Sequence, residues 1–299
     1  MSKPNRSDQH HSLPINAMTA TEARMAVALA QQEGWNPGLN DAEVFLAVNQ
    51  EGMLCIHFDG QPIGFSSVMR YDSRYAFFGL YMVQEEFRKL GFGMAMTQKR
   101  LEMAGKRCIG LDGVTENVTI YSHIGFRSSY RNIRFCMPEA IVEQCLANSQ
   151  LEQHSDITVI PLSSVSPHLL TAFDRFYFQA CRSHFLKVWC YQEDVIALAA
   201  QYQGELAGYI VIRPCVIGSK IGPLFAQSRA IAESLLFTAL ALSNRPPFYL
   251  DIPEPNQNAI NLANDNKMVI ISEVMRMYRG TPPPINLAGV YGITSLEMG

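Results

Sequence analysis

Apolar residues recur along this chain in blocks of two different periods, and the order of the blocks repeats. Behind Thr19-Ala20-Thr21-Glu22, which has the form of a capping box, Ala23 to Gln32 carries Met25, Leu29 and neighbouring alanines on one stripe and stops at Gly34. That spacing predicts a helix. Met53 to Phe58 and Ile63 to Val68 flank Asp59-Gly60, a strong hairpin signal, and read as paired strands. Ala76 to Val83 is an unbroken apolar run and a third strand. After it come a glycine-punctuated turn, a helix-patterned stretch from Met94 to Ala104, and a short strand from Arg107 to Asp112. A short helix from Asn117 to Ile124 and closing strands from Gly125-Phe126 to Phe135-Cys136 complete the unit.

After Pro138 a helical connector, Glu139 to Leu151, leads into the same order again. Ala197 to Tyr202 and Leu206 to Ile212 form a hairpin. Gly218 to Leu224 is a strand, Ser228 to Leu242 a long helix, Phe248 to Ile252 a strand, Asn256 to Asn264 a short helix and Met268 to Tyr278 a last strand. Local echoes, such as Gly60-x-x-x-Gly64-Phe65 with Gly204-x-x-x-Gly208-Tyr209, recur at about 140 residues' separation, as duplication predicts. The reading is α/β, an α+β mixed sheet in two tandem units, each a mostly antiparallel twisted sheet flanked by helices. The boundaries are a flexible tail 1–17, a first domain 18–137, a helical connector 138–156 and a second domain 157–299.

Composition narrows the function. The 299 residues are 48% hydrophobic and 17% charged, with net charge −3 and no Lys/Arg block, so the electrostatic footprint of a nucleic-acid binder is missing. No apolar run spans a bilayer, and the polar start, with His10 and His11, lacks the core of a signal peptide, which makes the expected location cytoplasmic with no membrane partner. The cysteines (Cys55, Cys108, Cys136, Cys145, Cys181, Cys190, Cys215) form no Cys-x-x-Cys pair, so neither a disulfide framework nor a metal site is expected.

The chemistry concentrates in Arg88-Lys89-Leu90-Gly91-Phe92-Gly93, between the strand ending at Val83 and the helix opening at Met94. A turn of this kind gathers backbone N–H groups and the positive end of a helix dipole around one point, which suits a phosphate. A Walker loop or a dinucleotide fingerprint would need other glycine spacings, and neither is present. The second unit has Lys220-Ile221-Gly222-Pro223-Leu224 near the matching place, where proline removes a donor, so one copy alone is expected to bind.

The motif Arg-x-x-Gly-x-Gly resembles the pyrophosphate loop of the GNAT N-acetyltransferases, and Tyr121-Ser122-His123-Ile124-Gly125-Phe126 resembles their Tyr-x-x-x-Gly-Phe pattern. Longer stretches, Glu33 to Gly38, Gly110 to Val114, Tyr130 to Arg134, Ile212 to Cys215, Lys220 to Leu224 and Asp251 to Glu254, are similar to the tandem YitH-type GNAT proteins. The resemblance implies a catalytic GNAT domain followed by a degenerate GNAT-like one, with acetyl-coenzyme A as cosubstrate. Arg88, Lys89, Leu90, Gly91, Phe92, Gly93 and Met94 would then hold the diphosphate, with Tyr81, Met82 and Val83 meeting the thioester and pantetheine arm. Tyr121 would protonate the leaving thiolate, and Asp112 is the nearest candidate base, with capping of the short helix as its other role. Glu116 offers the same alternatives.

Trp35, Asn36, Arg213, Asp251 and Glu254 are candidate contacts to the acceptor, a small-molecule or peptide amine; a homo-oligomer is left open. The activity implied is direct transfer of an acetyl group to a primary amine in a ternary complex. The competing readings are an acetyl-coenzyme A sensor that docks a partner, and a transferase for a longer acyl group.

Overall fold

The computed structural model describes residues 14–149 and 156–299; the start of the expected tail, with His10 and His11, and residues 150–155 of the connector lie outside the described residues. The first half runs β1 (Ile15–Ala17), α1 (Ala20–Gln32), α2 (Asp41–Asn49), β2 (Met53–Phe58), β3 (Gln61–Arg70), β4 (Tyr75–Val83), α3 (Phe92–Ala104), β5 (Cys108–Val114), α4 (Val118–His123) and β6 (Arg127–Met137). Helix α5 (Glu139–Ser149) leads to β7 (Ile157–Pro161), α6 (Pro167–Asp174), α7 (Ser183–Trp189), β8 (Ile196–Tyr202), β9 (Glu205–Pro214) and β10 (Ser219–Ala226). Then come α8 (Arg229–Leu242), β11 (Phe248–Pro253), α9 (Gln257–Asp265), β12 (Val269–Arg279) and β13 (Val290–Gly292). Residues 15–17 of the expected tail are a strand, because β1 pairs with β2 from Ile15↔Ile56 to Ala17↔Leu54.

The two expected sheets are one. Strand order is β1-β2-β3-β4-β5-β12-β6-β11-β10-β9-β8-β7, with β13 on β10. Each half gives one strand to the other. β12, from the second half, lies between β5 and β6, and β6, from the first half, pairs with β11. The parallel pairs β4–β5 and β10–β11 are bridged by α3 and α8 respectively, as crossover connections require.

Helices cover both faces, which explains why β4 is apolar along its length rather than alternating. Tyr75, Phe77, Leu80 and Met82 join a core shared by both halves, under α1, α2, α6 and α7. Ala76 and Phe78 face the opposite side with Leu111, Phe126 and Met277, next to α3 and α4. In the second half, α8 and α9 pack on β9, β10 and β11 through Leu235, Leu236, Leu262 and Ala263. Local signals act as written: Thr19 and Glu22 close a reciprocal capping box on α1, and Ser228 caps α8 by accepting from Ile231 N.

Residues 293–299 run under the middle of the sheet. The Met298 carbonyl accepts from Tyr71 Oη at 2.6 Å. Gly79 and Gly222 allow the approach, since a Cβ on them would stand 2.0 Å from the Glu297 carbonyl and 2.3 Å from that of Thr294. Both obstacles are backbone. Gly79→Ala should therefore destabilise the protein by about 1–3 kcal/mol, the usual range for overpacking. A lowered urea midpoint at unchanged slope is the expected result; an unchanged midpoint would show that this segment is not seated against β4.

Candidate active site

Pairing between β4 and β5 runs from Tyr75↔Cys108 to Phe78↔Leu111 and stops. Beyond it Leu80 takes a left-handed φ of 46°, while Asp112, Gly113 and Val114 keep their pairing with β12 on the other edge of β5. The strands part, and a cavity of about 290 Å³ fills the opening. Phe78, Leu111 and Tyr121, from the α3/α4 side, and Trp35, Leu80 and Leu296, from the α1/α2 side, all line it. The cavity thus passes between the strands from one face of the sheet to the other.

The predicted loop stands beside this gap. Lys89 (φ 64°) and Gly91 (φ 94°) are left-handed, and Gly91 opens α3 with no side-chain cap. Among the described residues, no acceptor meets the N–H groups of Leu90, Gly91, Phe92 or Gly93, whereas Met94 N and Ala95 N bond to the Gly91 carbonyl. These are the orphan donors of a helix start, left open to an anion. Gly93 is needed for space, because a Cβ there would lie 2.3 Å from Tyr81 Oη. The equivalent start of α8 is occupied by its own Ser228, so the residues present fit a diphosphate at α3 and not at α8. Arg88 points elsewhere: Nε donates to the Val83 carbonyl at 2.8 Å and the guanidinium pairs with Glu33.

Tyr121 lines the cavity with its ring against Gly113, where an added Cβ would meet Cε2 at 2.7 Å. Burial raises the pKa of its hydroxyl, and the charge of Arg100 pulls it back in part. Asp112 also lines the cavity, but its carboxylate is clamped by Arg276, at 2.7 and 2.8 Å, and accepts from Asn132 Nδ2 at 2.8 Å. It does not cap the helix. Burial raises its pKa, against the opposing pull of Arg276 and Asn132.

The other candidates are spread out. Tyr81 and Trp35 line the cavity; Met82, Val83 and residues 88–94 do not. Asn36 is turned away, its side chain bonded to the Ile217 backbone at 2.8 and 2.9 Å. Arg213 is paired with Asp41, Asp251 with Arg134, and Glu254 with Arg131, which also reaches Glu273. The carbonyl of Trp35 accepts from Lys220 Nζ at 3.0 Å, so these charges support the cavity wall. Apart from it, Glu22, Cys55 and His57 bring possible metal ligands within 4.8 Å of one another. The 2.6 Å Glu22–His57 contact and the capping box already account for that cluster.

Arg100, Arg134, Glu33 and Glu297 line the cavity and were not among the sequence candidates. Arg100 left a signal, since it occupies the buried stripe of α3 with Phe92, Met96 and Ala104 at four-residue spacing. Glu297 left none, because only the path of residues 293–299 brings it to β4.

Comparison with known proteins bears on the fold and on the class of chemistry. The Acetyltransferase (GNAT) domain family matches residues 170–292. Holothin acyltransferase of Pseudoalteromonas sp. (strain SANK 73390) is 25% identical over 292 residues, 97% of this chain and 96% of that protein. The uncharacterised N-acetyltransferase YitH of Bacillus subtilis (strain 168) is 24% identical over 273 residues, 91% and 93% of the two chains. Among solved structures, a candidate acetyltransferase from Pyrococcus horikoshii superposes with TM-score 0.79 at 22% identity, covering 100% of both chains. A tandem GNAT protein of the clavulanic acid biosynthesis pathway gives 0.64 at 12% identity, covering 90% of this chain and 99% of the other. The fold is that of the tandem GNAT proteins. The chain carries a GNAT acetyltransferase domain and is an acyltransferase. No helix among the described residues is long and apolar enough to cross a membrane.

Glu297 sets a pH test. Burial alone would raise its carboxyl, but Lys220, Arg213 and Arg134, with the Ser295 hydroxyl, hold it at about 2, below the ordinary 4.5. A depressed folded-state pKa contributes stability that is complete above the unfolded value and lost as pH falls through the folded one. Glu297→Gln should therefore flatten the acid limb of the stability profile between pH 4.5 and about 2. Urea unfolding at stepped pH measures this, and equal acid slopes in the two proteins would reject the assignment.

Proposed function

We propose that the protein is an acetyl-coenzyme A-dependent N-acetyltransferase that passes an acetyl group directly to a primary amine in a ternary complex. The observation that carries this reading is the gap between β4 and β5, with Tyr121 on one side and the uncapped start of α3 beside it. The amides of Leu90, Gly91, Phe92 and Gly93 would hold the diphosphate. Lys89 and Met94 flank them, and Arg88 orders the loop through Val83 and Glu33. Tyr81, Met82 and Val83, on the strand freed from β5, would meet the pantetheine arm and the thioester. The thioester supplies an acyl group whose transfer releases a thiol.

Tyr121 acts as the acid. Burial keeps its hydroxyl protonated at neutral pH, so it has a proton to give to the departing sulfur. Asp112, held by Arg276 and Asn132, fixes β5 against β12 rather than taking a proton. The acceptor would enter from the opposite face, where Trp35, Glu33 and Glu297 line the cavity, and a water there would take the extra proton of an incoming ammonium before the neutral amine attacks. The location fitting this cosubstrate is the cytoplasm.

The apolar lining of Phe78, Leu80, Leu111, Val114 and Leu296 favours a second reading, in which the acyl chain is longer than acetyl. A panel of acyl-coenzyme A donors against small primary amines and peptide N-termini, followed by thiol release, separates the two readings. Tyr121→Phe should lower turnover about 10²-fold, the low end for a lost general acid, with coenzyme A affinity unchanged by calorimetry. Full turnover in that variant would remove Tyr121 from the mechanism. Coenzyme A binding without thiol release for any acceptor would favour a sensor over an enzyme for this site.

A further inference from the structure

The buried cations at the join of the two halves have acids beside them. Arg134 meets Asp251, Arg182 meets Asp174, Arg213 meets Asp41, Arg276 meets Asp112, and Lys220 stands 4.0 Å from Glu297. Arg100 has none. It is 1% exposed, its Nε meets no acceptor among the described residues, and its bond to Thr97 Oγ1 is long, at 3.4 Å. The guanidinium lies over the rings of Phe78 and Tyr81, 4.6 and 4.3 Å from their centroids. Such contacts offset only part of the cost of taking a charge out of water. An unpaired cation lining a cavity is placed for an anion that arrives with the substrate.

The side of the sheet identifies that anion. The paired acids, with Glu297 and the Trp35 carbonyl, lie on the α1/α2 face, where an acceptor would enter. Arg100 lies on the α3/α4 face with Tyr121 and Tyr81, about 10 Å along α3 from the open amides at Gly93. We propose that Arg100 is the charge partner of the coenzyme A sulfur as it leaves, and of the Tyr121 phenolate that protonating the sulfur creates. This rests on the coenzyme A reading above.

The amine nitrogen bonds to the acyl carbon, the carbon–sulfur bond breaks, and its electron pair goes to sulfur. The Tyr121 hydroxyl proton passes to that sulfur, and the proton released by the attacking nitrogen returns to the phenolate. Negative charge moves from sulfur to the tyrosine oxygen and is then discharged, beside Arg100 throughout. Other groups near Tyr121 do not take this role. Tyr81 of β4 is neutral, and β5 presents Leu111 and Gly113 while Asp112 is held by Arg276. Glu273 of β12 is paired with Arg131 at the rim, Glu116 is exposed ahead of α4, and His123 is exposed on α4 itself. Arg100 lowers the pKa of the Tyr121 hydroxyl, in the same sense.

Calorimetry with coenzyme A and desulfo-coenzyme A, from about pH 7 to 10 to span thiol ionisation, tests this without knowledge of the acceptor. In the unaltered protein coenzyme A should gain about tenfold in affinity over the desulfo compound as pH rises. Arg100→Met should abolish that gain while leaving desulfo-coenzyme A binding unchanged, and Arg100→Lys should keep most of it. If the two ligands stay parallel in the unaltered protein, the role is overturned whatever the variants do. An equal loss for both ligands in Arg100→Met, with Arg100→Gln as the substitute should the methionine variant not fold, also overturns it. Failure to bind either ligand would remove the coenzyme A reading itself, a different outcome from binding both alike.

Discussion

The placement of β12 is the constraint on which the rest depends. By pairing with β5 from Ile109 to Val114, on the edge away from β4, it keeps the upper part of β5 in the sheet beyond the point where β4 parts from it, and so fixes that wall of the cavity. The register of that pairing is pinned by charge. Arg276 and Asp112 are opposite one another in the ladder, 3% and 0% exposed at their side chains, and joined at 2.7 Å. A buried pair adds little net stability over an apolar pair of the same size. Shifting β12 by one residue would turn Arg276 to the other face and leave Asp112 buried alone, and losing one partner of such a pair costs about 3–5 kcal/mol. The pair therefore selects one register.

The two faces of the gap are electrically different. On the α1/α2 side, acids and bases are matched, so that face is fixed in shape and close to neutral. Glu297 remains ionised there because several cations surround it. On the α3/α4 side, the uncapped amides leave a positive excess at the start of α3, and the unpaired Arg100, about two turns further along, leaves another at the cavity wall. In the proposed reaction a negatively charged donor would enter from the second side and an amine from the first, and the same strand gap would separate the two while letting their reacting atoms meet.

Much of this was legible in the sequence, and the parts that were not share a cause. The hairpins, β4, α3, α4, α8 and the last strand follow local signals such as Asp59-Gly60, the Thr19–Glu22 capping box and the apolar runs. Their observed bounds lie close to the expected ones. The exchange of β6 and β12 left no mark, because a strand's own pattern does not say which neighbour it pairs with. Short α2, α6 and α7 were missed because their apolar faces match a core shared by both halves, seen only once those halves are joined. Asp112 read as a cap or a base because its partner lies 164 residues further along. Arg100 could have been found, since an arginine on the Phe92–Met96–Ala104 stripe conflicts with the pattern around it.

The exchange also bears on why a second half without the loop persists. Ser228 fills the start of α8, and Ala263 is buried in the core where the repeat aligns it with Tyr121. Among the described residues, the start of α8 is thus not left open as that of α3 is. Yet the second half supplies β12, whose Ser272, Glu273 and Val274 line the cavity, and the segment that brings Leu296 and Glu297 to β4. A first half cut off after β6 would leave β5 with an open edge and Asp112 buried without a cation. Loss of the second half's own ligand site does not release it from the function, because its sequence remains under the structural demands of a cavity that both halves enclose.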